Sequence, residues 1–145
     1  MLVVAVLSLP VLDGPHSRQH ANEVAAVSTL HTLTALERKF EAAHVDKGFA
    51  CDLQLLRPAE GEENSVGDDP LPFLTTGTSV GYKFVLRNCR SDDRGVVAHY
   101  EATATPVENG RTGFFAFCTD DSGLLWYDAL GSATNCLALR RALQE

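Results

Sequence analysis

Residues 17–43 read SRQHANEVAAVSTLHTLTALERKFEAA, and this stretch decides the fold. It contains neither Gly nor Pro. Apolar side chains recur at Val24, Val27, Leu30, Leu33, Leu36 and Phe40, in steps of three and four that line up on one face of a helix. Asn22, Ser28, His31, Thr32, Arg38 and Lys39 occupy the other side. Pro15 and Ser17 are entry signals, and Gly48 is a stop signal. A helix with a single apolar stripe needs a partner that covers it, and the partner must come from downstream.

Downstream of Gly81 the period changes from about 3.6 to 2. Tyr82, Phe84 and Leu86 alternate with Lys83, Val85 and Arg87. A turn-forming run, Ser91-Asp92-Asp93-Arg94-Gly95, separates this segment from a second alternating one at 97–105. Asn109-Gly110 is a hairpin signal, followed by an aromatic segment at 113–118. Asp120-Asp121-Ser122-Gly123 is the next turn, and Leu124 to Tyr127 closes the series. Four strands joined by short turns make an antiparallel meander. The expected fold is therefore α+β: a long N-terminal α-helix packed on a roughly four-stranded antiparallel β-meander, with residues 137–143 forming a terminal helical turn. Between helix and sheet, residues 57–72 are acidic and rich in Gly and Pro, which marks an exposed loop. Asp68 and Asp69 in that loop match no calcium-loop spacing.

Before the helix stands MLVVAVLSLPVL, residues 1–12, interrupted only by Ser8 and Pro10. A membrane span needs about 20 apolar residues, so this run is too short for one. No basic residues precede it and no small-residue cleavage pattern follows it; Asp13-Gly14-Pro15 comes next. It reads as a truncated hydrophobic export or assembly segment at 1–16, leading into one domain at 17–145. The side chains that would carry self-association are Leu2, Val3, Val4, Val6, Leu7, Leu9, Val11 and Leu12.

A chain of 145 residues with 45% hydrophobic and 21% charged residues can bury its own core. A net charge of −7 argues against a nucleic-acid partner, which needs a clustered basic face. It argues equally against docking on anionic lipid through Lys and Arg. Cys51, Cys89, Cys118 and Cys136 are even in number, widely spaced and outside any CxxC pattern. That spacing disfavours zinc and favours two disulfides in an oxidising compartment, the competing reading being four buried thiols. Three pairings are open. Cys51–Cys118, for example, would close a long loop worth about 4 kcal/mol.

No nucleotide-binding loop, nucleophile elbow or zinc-protease pattern is present, and the expectation is a protein without catalytic residues, metal or cofactor. His16 and His20 stand four apart but have no third ligand in sequence. Trp126 and Tyr127 at a strand end are more simply aromatics covering the helix than an exposed binding patch.

The run Ser17-Arg18-Gln19-His20-Ala21-Asn22-Glu23-Val24-Ala25-Ala26-Val27-Ser28-Thr29-Leu30 resembles the helix of bacterial type IV pilin-like proteins. Leu2 to Leu7 is similar to the end of the hydrophobic segment of that family. The resemblance continues through Gly48-Phe49-Ala50-Cys51-Asp52-Leu53, Gly81-Tyr82-Lys83-Phe84, Phe117-Cys118-Thr119-Asp120, Ser122-Gly123 and Tyr127-Asp128. The family's leader is missing, the hydrophobic segment is short, and Asp13-Gly14-Pro15 interrupts it. The resemblance implies a pilin-like fold, export to the cell surface with inner-membrane contact before assembly, and a structural role in a pilus or pseudopilus filament with other pilin-like subunits. The rival expectation is a secreted or surface-anchored monomeric binding domain of the same fold.

Overall fold

The structure, a computed structural model, describes residues 15–58 and 71–143. It begins with a single unbroken helix, α1, over Pro15–Ala43. Proline suits this first position because its missing N–H has no partner in a helix's first turn. After a turn and a one-turn 3-10 helix at Leu53–Leu56 comes a short helix, α2, at Phe73–Thr76. The strands are β1 (Thr78–Ser79), β2 (Tyr82–Ser91), β3 (Val97–Pro106), β4 (Ala116–Asp120), β5 (Leu125–Asp128) and β6 (Arg141–Ala142). Helix α3, Ala133–Leu139, stands between β5 and β6.

The sheet follows chain order, β1-β2-β3-β4-β5-β6, and every pairing is antiparallel. The α+β meander expected from the sequence is present, with six strands where four were expected. The additional two, β1 and β6, are two-residue edges, too short to show an alternation. The aromatic strand also starts later than expected, at Ala116, because 107–115 is a broad loop and not a tight hairpin. The terminal helical turn is displaced toward the N-terminus, to Ala133–Leu139, where the Ser132 hydroxyl accepts the Asn135 N–H at 3.1 Å and caps it.

Helix α1 packs across β3 and β4. Its buried line is Gln19, Ala26, Leu30, Leu33, Thr34 and Glu37. This differs from the stripe expected from hydropathy. Leu30 and Leu33 are fully buried, Val27, Leu36 and Phe40 are half-buried, and Val24 is 58% exposed. The sheet explains the rotation. Ala102, Ala104 and Ala116 face the helix and are fully buried, so small Ala26 allows a close approach that a valine would block. Phe73, Tyr82, Phe84, Tyr100 and Phe117 fill the remainder of this core.

Alternation sends the next side chains to the opposite face. Phe117 and Tyr127 belong to the helix side, whereas Cys118 and Trp126 form a second, smaller cluster with Cys136 and Leu137 of α3. Trp126 therefore does not cover α1 as the sequence suggested; it covers the rear of the sheet, with Arg140 stacked 4.7 Å from its ring centre. Tyr127 does lie on the helix side, stacked on Phe115.

Both cysteine pairs are bridged: Cys51–Cys89 and Cys118–Cys136. The Cys51–Cys118 possibility is thereby excluded. Tyr82, Phe84 and Leu86 set an even-numbered core side on β2, on which Cys89 would point the wrong way. A bulge corrects this. The register shifts between Arg87 and Arg90, with Asn88 at φ 51°, and the extra residue flips parity so that Cys89 joins the core side. The Asn88 side chain holds the bulge by donating to Glu101 Oε2 at 2.8 Å.

Candidate assembly surface

The sequence places the association chemistry in Leu2, Val3, Val4, Val6, Leu7, Leu9, Val11 and Leu12, all of which lie outside the described residues. What the described residues contribute is the surface next to them. Helix α1 starts at Pro15, so its first turns stand directly after that segment in the chain. No helix among the described residues is long and apolar enough to cross a membrane.

The first turns of α1 are fixed by polar anchors to the loop before β4. Gln19 Nε2 donates to the Gly110 carbonyl at 2.6 Å, and Asn22 Nδ2 donates to the Thr112 carbonyl at 2.9 Å. Below them the Tyr82 hydroxyl donates to the Phe115 carbonyl at 2.7 Å. Burial pushes the Glu23 carboxyl up from its ordinary pKa, opposed by His20 and by the backbone amides of Phe114 and Phe115. These contacts hold α1 slightly off the sheet on one side and leave a groove there.

The groove has a volume of about 510 Å³. Val24 and Val27 form one wall, and Phe115, Phe117 and Leu143 form the other. Polar groups are confined to α1: His20, Glu23, Ser28 and His31. Its lining is mostly apolar, and 58%-exposed Val24 stands at its mouth. Hydropathy alone counted Val24 as core; the register of α1 on the sheet makes it surface.

Toward the other end of α1, Glu37 is fully buried. Its Oε2 accepts the Ala50 N–H at 2.8 Å and so fastens the segment after Gly48 to the helix. Its Oε1 has no hydrogen-bond partner. Burial is the main reason its pKa is raised to about 7; the Ala50 amide opposes the rise and Glu41 adds to it. Next to it, burial pushes the Tyr100 phenol up to about 12.

The remaining candidates are accounted for locally. His99, Asp120 and Asp121 are the one group of three metal-ligating side chains brought together among the described residues. His99 Nδ1 pairs with Asp121 Oδ1, and its Nε2 lies 3.5 Å from Glu101 Oε1. Asp120 Oδ1 accepts the Ser122 N–H at 2.8 Å, while Oδ2 faces Arg140 Nη1 at 3.6 Å. Every one of these carboxylates therefore has a protein partner, and the group ties the β4–β5 turn to β3 and α3. His16 and His20 are both exposed on α1. Asp68 and Asp69 lie outside the described residues. Comparison of the chain with known family models, curated proteins and solved structures finds no match in any of the three.

Proposed function

We propose that this chain is a non-enzymatic structural subunit of an extracellular, pilus-like filament, exported to an oxidising compartment and assembled through its apolar N-terminal segment. The observation that carries the reading is the order of parts: an apolar, uncharged run of twelve residues leads into one 29-residue helix whose far half is packed on an antiparallel sheet. Such a subunit would donate its hydrophobic end to an assembly while sheet and loops face solvent. Two disulfides fit export, since paired cysteines persist in oxidising compartments. The acidic net charge of −7 fits a solvated outer surface and a partner other than nucleic acid.

The apolar groove favours one alternative, a secreted or surface-anchored monomeric module that binds an apolar ligand there. Removal of residues 1–14 separates the two. A filament subunit loses its self-association in sedimentation velocity and becomes a monomer. A binding module sediments identically with and without the segment, and that result would refute the filament reading.

A further inference from the structure

Resting on the filament reading, we propose that the groove between α1 and Phe115, Phe117 and Leu143 is the acceptor for residues 1–12 of a second copy of this chain. The chemistry matches on both sides. The donor run contains no charged residue and is interrupted only by Ser8 and Pro10. The groove walls are Val24, Val27, Phe115, Phe117 and Leu143. The lengths match as well. The groove follows α1 from His20 to His31, about 16 Å at the helical rise, and twelve helical residues span about 18 Å.

The placement of donor and acceptor points to a neighbour. Pro15 opens α1, and the helix then carries the chain along the groove. A donor that prolongs the helix axis leaves its own groove behind and presents itself to the next molecule. Donor and acceptor are also different parts of the surface, so the contact is head-to-tail. A head-to-tail contact that does not close on itself propagates as an open fibre, whereas a patch that meets its own copy stops at a dimer. The polar side chains of the groove all belong to α1, where they can remain hydrated while the aromatic wall is covered.

The test is sedimentation velocity of the full chain over a range of concentrations, comparing the wild type with Val24→Lys, Leu143→Lys and Val45→Lys. Val24 is 58% exposed at the groove, and Val45 is 78% exposed outside it. Circular dichroism and Trp126 fluorescence verify that each variant is folded. Val24→Lys and Leu143→Lys are expected to weaken self-association at least tenfold, with Val45→Lys equal to the wild type. If removal of residues 1–14 abolishes association while both groove variants associate as the wild type does, the donor docks elsewhere; the groove assignment falls and the filament reading stands. If the wild type is monomeric with and without residues 1–14, both fall. Amide-exchange protection of 24–31 in the dilute wild-type monomer, lost on removing residues 1–14, would assign the groove to the chain's own segment and overturn the second-copy assignment.

Discussion

Replacement of Glu37 by Gln is expected to abolish a pH dependence of stability that the wild-type chain carries. The carboxyl is fully buried, one oxygen accepts the Ala50 N–H, and the other has no hydrogen-bond partner. Its pKa is raised from 4.5 to about 7, mainly by burial. Below pH 4.5 the group is protonated in both the folded and the unfolded chain, and stability does not respond to it. Between pH 4.5 and about 7 the unfolded chain releases the proton and the folded chain keeps it, so stability falls as pH rises. Above that window both forms are ionised and the loss is complete. At about 1.4 kcal/mol per pH unit, the full loss is about 3 kcal/mol. Gln is nearly isosteric, keeps an oxygen for the Ala50 amide and never ionises. Urea titrations followed by Trp126 fluorescence, with disulfides intact, give ΔG at each pH. Glu37→Gln should match the wild type near pH 4 and exceed it by up to about 3 kcal/mol at pH 8. Parallel pH profiles for the two chains would refute the reasoning, because they would mean that water reaches Glu37 and the carboxylate is solvated.

Loss of the Cys51–Cys89 bridge through the double Ser variant should cost about 4 kcal/mol, and loss of Cys118–Cys136 about 3, since they close loops of 38 and 18 residues; chemical denaturation of each oxidised variant measures this. Gly48→Ala should cost more than about 1 kcal/mol. Gly48 sits at φ 81°, and an added Cβ would fall on the Val97 carbonyl to which Phe49 N–H donates; thermal melts measure the loss. Leu30→Ala should cost about 2–5 kcal/mol because Leu30 is fully buried between α1 and the sheet. Val24→Ala should stay within about 0.5 kcal/mol, and a Val24 cost as large as that of Leu30 would contradict the observed rotation of the helix.

Local periodicity made most of the fold readable. The helix and the strands β2, β3 and β5 each repeat their signal over enough residues to be seen without tertiary information. The face of α1 was only half readable. Hydropathy ranks Val24 above Ala26 and rejects Glu37, yet the alanine-lined sheet selects Ala26, and the Ala50 amide gives Glu37 a partner. The cysteine pairing depended on the bulge at Asn88, a one-residue parity change that the spacing of Cys51 and Cys89 does not encode. Strands β1 and β6 are too short to carry a pattern. The groove depended on which side of α1 the sheet leaves open, and that follows from Gln19 and Asn22 reaching the loop carbonyls of Gly110 and Thr112.

The strands lie side by side in the order in which they are made. Each new strand needs only the one before it, so the loops that must close are short and the search is quick. Cys118 and Cys136 are both contained in the β4–β5–α3 portion, and Cys89 reaches its position as soon as β2 pairs with β3. A chain emerging into an oxidising compartment can thus bring the right sulfurs together by folding before oxidation locks them. Scrambled pairings should then be rare on refolding, even without an isomerase.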